Sequence, residues 1–282
     1  MRARPQDRPA GRRAVTGIAV AAAFSIAACT GPPPPPLPGA AELLARAPAE
    51  RLLDLSYSYD ASTLYWPASG GFRLTVDAAG RTPSGSFYAS NSLCTSEHGG
   101  THLDAPYHFA EGGATTDRIP IGALVGPLFV LDVREACAAD PDHAVTEAEI
   151  RAFEARHGAI PEGAIVVLFT GWGVRWPDAK RYLGDDTPGD ATRLHFPGLS
   201  AEGARYLATR RIAGAGIDTA SIDPGPSRDF PAHQVLAASG IYTLENLDNV
   251  ERLPPAGAAL VALPMKIGGG TGGPARVLAV LP

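Results

Sequence analysis

The sequence HGGTHLDAPYH, at residues 98–108, is the most informative stretch of this chain. It places three histidines and an aspartate, His98, His102, Asp104 and His108, within eleven residues. Imidazole nitrogens and a carboxylate are ligands that suit zinc, manganese or iron. Because residues two apart face the same side of an extended chain, His102 and Asp104 can point at a common ion. The stretch therefore predicts a metal site.

A polar loop whose histidines make ordinary hydrogen bonds is the alternative interpretation of this stretch. A single histidine would favour that alternative, but three histidines around an aspartate favour metal binding. Gly99 and Gly100 would also let the backbone turn close to an ion. Pro106 would stiffen the chain as it leaves the site.

Apolar runs on both sides of this stretch predict strands. The predicted strands cover residues 51–59, 72–76, 84–89, 124–133, 164–170, 212–217, 241–244, 258–263 and 277–281. Three helices are predicted at 146–157, 200–211 and 231–239, from a capping box, a serine N-cap and an initial proline respectively. Strands dominate and helices lie between some of them, which predicts one mixed α/β domain.

The N-terminal residues have the pattern of an export signal. Five arginines precede an apolar run at 14–28, which is too short and alanine-rich for a good membrane span. The run ends in Ile-Ala-Ala before Cys29, as in a bacterial lipoprotein signal, so residues 1–28 are predicted to be the signal peptide. Cys29 would then carry the lipid. The alternative is a plain secretory signal in which Cys29 is incidental.

A proline-rich linker is predicted at residues 29–48. Its five consecutive prolines, at 32–36, favour an extended polyproline helix, which would act as a stiff spacer. The folded domain would then occupy residues 49–282. Together these segments predict an exported protein of the bacterial periplasm or cell envelope, which contacts the membrane only through a lipid anchor at Cys29.

The composition narrows the function further. Hydrophobic residues make up 45% of the 282 residues and charged residues 19%, which is typical of a globular protein with a sizeable core. The net charge is −5 and no basic stripe follows the N-terminal residues, which excludes nucleic-acid binding. Cys94 and Cys137 lack the spacing of a zinc–cysteine site and are predicted to be unpaired.

The pattern His-x-Gly-Thr-His-x-Asp-x-Pro-x-His is the hallmark of the cyclase family, and every fixed position matches here. That family includes bacterial kynurenine formamidases and isatin hydrolases. Four later blocks of the chain, at residues 216–223, 233, 244–247 and 263–267, also resemble blocks of the family in the same order. The resemblance extends over the whole predicted domain.

The resemblance implies a set of metal ligands. The first two histidines and the aspartate of the family motif bind metal, and they correspond to His98, His102 and Asp104. In family members with two metal ions, the aspartate bridges to a second ion, held by a later histidine and a glutamate twelve residues beyond it. His233 and Glu245 have this spacing. The implied cofactor is a divalent metal, Zn²⁺ or Mn²⁺, as one or two ions.

The resemblance also implies a fold and catalytic residues. The last histidine of the motif, here His108, is an acid/base residue, and Glu245 is expected to ligate metal or to orient water. The family fold is mixed α/β, with an antiparallel β-barrel-like core flanked by helices, of the swivelling β/β/α type. Family members usually form homo-oligomers, which implies a dimer or tetramer.

Three further residues are candidates for the substrate pocket. Trp66 and Trp172 lie in aromatic segments that could form walls for a planar substrate, although core packing by large aromatic side chains is the alternative. His195 has aromatic and proline neighbours that suit a pocket loop.

The predicted activity is hydrolysis of a C–N bond in an amide or cyclic amide by a metal-activated water, with His108 as the proton shuttle. An aryl formamide or an isatin-like lactam is the expected small-molecule substrate. Two alternatives stay open. One is an ester or lactone hydrolase or a cyclase of the same family, and the other is a metal- or ligand-binding lipoprotein without catalysis. The presence of His108 argues against the second, since a pure binder has no need of an acid/base residue.

Overall fold

Twelve strands and five α-helices form residues 47–282, the part of the chain that this computed structural model describes. The strands are β1 (Leu52–Asp54), β2 (Arg73–Arg81), β3 (Phe87–Cys94), β4 (His102–Asp104), β5 (Val125–Asp132), β6 (Ala144–Val145), β7 (Ile165–Phe169), β8 (Gly198–Leu199), β9 (Gly214–Ile217), β10 (Tyr242–Glu245), β11 (Ala258–Pro264) and β12 (Gly272–Val280). The helices are α1 (Arg134–Ala139), α2 (Glu147–His157), α3 (Ala179–Leu183), α4 (Ala201–Thr209) and α5 (Pro231–Ala238). The predicted signal peptide and nearly all of the predicted linker lie outside the described residues.

Seven of the strands close into a barrel. The order around the ring is β12, β11, β5, β7, β9, β10 and β4, and β4 pairs back with β12. Strand β1 pairs with the far end of β12. The mixed α/β fold with a barrel-like core is thus confirmed.

The barrel is mixed rather than wholly antiparallel. The pairs β5–β7, β7–β9 and β9–β10 are parallel, and the other four pairs of the ring are antiparallel. Parallel neighbours require a crossover connection, and helices supply it here. Helices α1 and α2 lie between β5 and β7, α3 and α4 lie between β7 and β9, and α5 joins β9 to β10.

Strand β7 shows why the parallel strands have continuous apolar sequences. All five of its residues are buried. Ile165 and Val167 face the barrel interior with residues such as Leu260. Val166 and Leu168 face outward and pack with helix residues such as Phe153. A strand covered on both faces needs apolar residues at every position, so period-2 alternation is lost.

The capping box predicted at Thr146 is present. The Thr146 side chain accepts a hydrogen bond from the Glu149 backbone N–H, and the Glu149 carboxylate accepts one from the Thr146 backbone N–H. Gly158 ends helix α2 with φ of +93°. Helices α1 and α3 were not predicted, because six and five residues are too few to show a helical period.

A smaller prediction concerns the two cysteines among the described residues. Cys94 and Cys137 are both free, as predicted. Cys94 is exposed at the end of β3, whereas Cys137 is buried in α1. Among residues 47–282, no helix is both long enough and apolar enough to cross a bilayer.

Candidate metal centre and substrate pocket

Strand β4 presents the central motif on the outer face of the barrel. Its middle residue, Leu103, points into the barrel core. His102 and Asp104 therefore point the other way, since successive strand residues alternate. His102 pairs with Glu245 and Asp104 pairs with Thr243 across the antiparallel β4–β10 ladder. Directly paired residues share a face, so the ladder brings Glu245 to the same side as the motif.

The side chains on this face converge. His102 Nε2 lies 3.1 Å from Asp104 Oδ1 and 3.5 Å from Glu245 Oε2. His98 Nδ1 donates to Asp104 Oδ1 at 2.6 Å. His233, in the first turns of α5, places Nε2 3.2 Å from Asp104 Oδ2 and 3.1 Å from Glu245 Oε1. The structure therefore brings together all five residues predicted to bind metal.

His233 is held by a carboxylate whose role the sequence did not reveal. Asp223 is fully buried and accepts hydrogen bonds from His233 Nδ1 at 2.7 Å and from the His233 backbone N–H at 3.0 Å. It also accepts from the Ala232 N–H at 2.8 Å. One carboxylate thus satisfies two backbone donors at the start of α5 and fixes the ring of His233.

His98 is held from its other side by Thr271, the residue before strand β12. Its Nε2 lies 2.8 Å from Thr271 Oγ1, and Thr271 in turn donates to Glu97 Oε2 at 2.5 Å. The backbone approaches closely at Gly272. A Cβ there would lie 2.6 Å from His98 Cε1 and 2.6 Å from the Leu103 carbonyl oxygen. Only glycine allows this approach.

His108 lies at the edge of the cluster, at the end of a 3₁₀ turn, Pro106–His108. Its ring stacks on the ring of His98 with centroids 3.9 Å apart. Desolvation lowers the pKa of His108 to about 4, which outweighs the attraction of Asp104. The ring is therefore neutral at pH 7 and able to accept a proton.

The buried carboxylates at the centre of the site need a positive charge close to them. Burial opposes protonation of His102, but Asp104 and Glu245 outweigh it and raise the pKa of His102 to about 9. Burial likewise opposes a charge on His233, yet its carboxylate partners raise the pKa of His233 well above the ordinary value. In the metal-free protein, protons on the rings of His102 and His233 supply the positive charge that stabilises the buried carboxylates.

The donor set fits a divalent metal ion. Ligand atoms of His102, Asp104 and Glu245 lie within 4.8 Å of one another, as do those of His98, Asp104 and His108. His102 Nε2 is buried and, although it lies 3.1 Å from Asp104 Oδ1, makes no hydrogen bond of normal geometry. A buried imidazole nitrogen close to two carboxylates is the arrangement that a metal ligand needs.

A cavity of about 260 Å³ opens over the cluster. Its polar floor contains the metal-site residues, and its walls are mainly apolar. The wall side chains are Leu64, Tyr65, Trp66, Phe109, Leu183, Ala220 and Phe230. Phe230 contacts Trp66 edge-on and Phe109 at a tilt, with centroids 5.8 Å and 5.5 Å apart. Such a cavity suits a planar aromatic ligand that meets the metal with one polar end.

Only one of the three predicted pocket residues lines the cavity. Trp66 lines the cavity. Trp172 does not: it is buried in the apolar cluster that packs against wall residues such as Trp66, and its Nε1–H donates to the Tyr182 carbonyl. His195 is exposed and lies 2.8 Å from Asp142, away from the cavity, because its neighbours Leu194 and Phe196 turn into the core.

Two aromatic wall residues were missed by the sequence analysis. Phe109 directly follows the last histidine of the motif, so its position offered a signal. Phe230 offered none. It adopts left-handed backbone geometry with φ of +48°, which is rare for a bulky residue, and so holds its ring over the cavity.

Comparisons with known proteins indicate the family of this chain. A family model described as "Putative cyclase" matches residues 53–224. The isatin hydrolase of Roseibium aggregatum is 38% identical over 206 residues, which is 70% of this chain and 77% of that protein. The kynurenine formamidase of Salinibacter ruber is 33% identical over 232 residues, covering 80% and 96%.

The solved structures give the same result. An isatin hydrolase bound to the product analogue thioisatinate superposes with a TM-score of 0.75 and 32% identity, covering 86% of this chain and 95% of that chain. An isatin hydrolase A from Labrenzia aggregata, bound to benzyl benzoate, superposes with a TM-score of 0.74 and 34% identity, covering 82% and 93%.

Proposed function

This chain belongs to the cyclase family, and from that membership we propose that it is a metal-dependent hydrolase that cleaves the C–N bond of an aryl formamide or an isatin-like lactam. The observation that carries the proposal is the cluster of His98, His102, Asp104, His233 and Glu245 beneath an aromatic-walled cavity. The cluster supplies the chemistry, and the cavity supplies the preference for a flat substrate.

These five residues would hold the cofactor. A divalent ion bound there would polarise the substrate carbonyl and activate water for attack. Histidine and carboxylate ligands accept Zn²⁺ and Mn²⁺ alike, so both are proposed. The two oxygens of Asp104 face different histidines, Oδ1 towards His98 and His102 and Oδ2 towards His233. This division supports a carboxylate that bridges two ions.

His108 is proposed to carry the proton. Its neutral ring at the edge of the cluster can take a proton during attack and return it to the leaving nitrogen. Glu245 is fixed for its role because its Oε1 accepts a hydrogen bond from the Ile222 backbone N–H at 2.7 Å. A carboxylate held in this way keeps one orientation while the substrate reacts. A fixed orientation suits a metal ligand or a residue that orients water.

The aromatic wall limits the substrate class. Trp66, Phe109 and Phe230 present ring surfaces above the polar floor. A planar aryl group would stack or pack edge-on against these rings, while its amide carbonyl faces the metal ligands. An aliphatic amide would leave this surface poorly filled.

We also propose that the protein is exported and lipid-anchored and that it forms a homo-oligomer. The N-terminal pattern that ends in Cys29 and the polyproline run after it support export and anchoring. An enzyme in the cell envelope would meet substrates that arrive from outside, so scavenging or detoxification of an external compound is the proposed setting.

The test combines metal content with activity in the full-length chain. We expect stoichiometric Zn²⁺ or Mn²⁺, and hydrolysis of isatin or of an aryl formamide with that metal. The double substitution His102→Ala, Asp104→Ala should abolish both. The control is His195→Ala, because His195 lies away from the cavity. This substitution should change neither the metal content nor the activity.

Each other outcome has a definite meaning. Hydrolysis of a phenyl ester or an aryl lactone, with no activity on the two nitrogen compounds, would favour the ester and lactone alternative. Bound metal without hydrolysis of any of the four substrates would favour a binding protein. A folded chain that takes up neither metal would refute the proposed mechanism.

A further inference from the structure

The walls of the cavity above the metal ligands carry no permanent positive charge. Among residues 47–282, the lining of this cavity includes neither lysine nor arginine. Its ionisable side chains are those of the metal site, with His108 beside them, and Tyr65, a phenol that is uncharged at neutral pH. A ligand that extends away from the metal ligands therefore meets no cationic side chain of the described chain.

Two arginines lie close to the cavity walls in the sequence, but both are engaged elsewhere. Arg228 comes two residues before the wall residue Phe230, and its guanidinium donates hydrogen bonds to the two backbone carbonyls at 191–192. The guanidinium of Arg175 lies 3.4 Å from the centroid of the Trp172 ring. Neither arginine lines the cavity. The structure therefore directs the nearby positive charges to the protein and leaves the walls neutral.

Two uncharged polar side chains of the lining are already bonded within the protein. Asn246 donates from Nδ2 to the Gly100 carbonyl at 2.8 Å, and its Oδ1 accepts a hydrogen bond from the Tyr182 hydroxyl at 3.0 Å. The hydroxyl of Tyr65 shares a hydrogen bond of 2.6 Å with Thr95 Oγ1. These groups hold the walls in place, and their bonding capacity is largely used before any ligand enters.

The other two uncharged polar side chains of the lining are serines. Ser69 is exposed at the mouth of the cavity, and Ser221 is buried. Ser221 Oγ accepts a hydrogen bond from the Asp223 backbone N–H at 3.2 Å, so its own proton is left to donate. A single hydroxyl donor suits a neutral acceptor such as a carbonyl oxygen. An ionised carboxylate between apolar walls needs a cation or several donors.

We infer that the cavity selects aryl substrates whose ring carries no ionised carboxylate, and that it excludes formanilides with an amino-acid side chain. The inference rests on the proposed hydrolase function and narrows its substrate class. With the scissile amide at the polar floor, the far part of the ring lies against Trp66, Phe109 and Phe230. A carboxylate on that part loses its hydration and gains no partner. A neutral lactam or a neutral formanilide has no such penalty.

The first test compares substrates of equal shape that differ in charge. The compounds 4-formamidobenzamide and 4-formamidobenzoate carry an amide and a carboxylate opposite the formamide. For the full-length chain with Zn²⁺ or Mn²⁺, we expect kcat/KM to be about 100-fold lower for the benzoate. The loss should appear in KM rather than in kcat, because the ground state and the transition state bury this group equally. Isatin-5-carboxamide and isatin-5-carboxylate make the same comparison for lactams.

The second test supplies the missing cation at the mouth of the cavity. The backbone N–H of Ser69 donates to the Trp66 carbonyl at 2.8 Å, so this turn does not depend on the serine side chain. In Ser69→Arg, kcat/KM for the benzoate should rise about fivefold relative to the benzamide, as for an exposed ion pair. About 1 M NaCl should remove this gain by screening. Ser69→Gln is the control, since it adds a long side chain without a charge and should leave the ratio unchanged.

The outcomes separate this inference from the proposed function. Equal kcat/KM for the two members of a pair, or a preference for the carboxylate, would overturn the inference and leave the hydrolase function intact. An equal gain for the benzoate in Ser69→Gln and Ser69→Arg would also overturn it, since charge would not be the cause. If the chain hydrolyses neither isatin nor any of the four test compounds, the proposed function is refuted, and the inference that rests on it is refuted as well.

Discussion

Asp223 Oδ2 lies 2.7 Å from Nδ1 of His233, and both side chains are buried. This contact makes Nδ1 the donor and so leaves Nε2 to face Asp104 and Glu245. A carboxylate behind a histidine ligand fixes both the tautomer and the ring orientation. The contact lies on the side of His233 that faces away from the cavity. Losing it should therefore weaken metal binding directly and affect catalysis only through the metal.

We therefore expect Asp223→Asn to weaken metal binding by about 10- to 100-fold, the usual cost of losing such a partner. The measurement is competition against a fluorescent zinc chelator. Asp229→Asn is the matched control: it makes the same change at an exposed position just before α5 and should leave the affinity unchanged. Equal affinities of the two variants would show that Asp223 does not position His233.

A second prediction concerns Gly272, where β12 passes His98. A Cβ at this position would lie 2.6 Å from His98 Cε1 and from the Leu103 carbonyl oxygen, and the backbone cannot yield as a side chain can. Gly272→Ala should therefore displace His98 and weaken metal binding by about tenfold or more. Gly268→Ala, in the glycine-rich loop just before β12, meets nothing within 4 Å and should have no effect. Unchanged affinity in Gly272→Ala would mean that His98 is not needed for the ion.

Metal binding should depend on pH in a definite direction. The pKa of His102 is raised to about 9 and that of His233 well above its ordinary value, so both rings hold protons at pH 7 in the metal-free protein. Those protons must leave when the nitrogens bind an ion. As pH rises from 7 towards 9, fewer protons are displaced, and the affinity should increase.

Calorimetry in buffers of different ionisation enthalpy measures this effect. At pH 7 the observed heat of Zn²⁺ binding should vary with the buffer, because the buffer takes up the released protons. The dependence should decrease at higher pH. A heat that is independent of the buffer at pH 7 would show that the rings are already neutral and that the carboxylates do not hold protons on them.

The sequence predicted the local parts of the site well. His98, His102, Asp104 and His108 lie in one short segment, so their meeting requires only a turn at the glycines and an extended β4. The helix α2 was predictable for the same reason, since its capping box is contained in four residues. Local chemistry of this kind leaves a pattern that a single sequence can show.

The remaining parts of the site depend on how distant segments of the chain pack together. His233 and Glu245 came from family spacing alone, and only the β4–β10 ladder and the helix α5 explain why they reach Asp104. The hydrogen bond between Asp223 and His233 and the left-handed geometry of Phe230 have no local signature. The assignment of His195 failed because the burial of its two neighbours, rather than its own chemistry, decides where it points.

His108 has two possible roles, and one substitution separates them. Its ring nitrogen lies near ligand atoms of His98 and Asp104, which would suit a metal ligand. Its place at the edge of the cluster, where its ring stacks on His98 and lines the cavity, suits an acid/base residue instead. We expect His108→Gln to lower kcat by about 10²- to 10⁴-fold, the usual contribution of a proton-transfer group, with the metal content unchanged.

The result should also be partly reversible from outside. Because the lost group is an imidazole that is proposed to exchange protons within the cavity, added imidazole should restore part of the activity of His108→Gln. His157→Gln makes the same change at an exposed position at the end of α2, where added imidazole should have no effect. Loss of bound metal from His108→Gln, measured by mass spectrometry, would instead make His108 a ligand. Glu245, which the Ile222 N–H holds in place, would then be the remaining predicted residue for proton transfer.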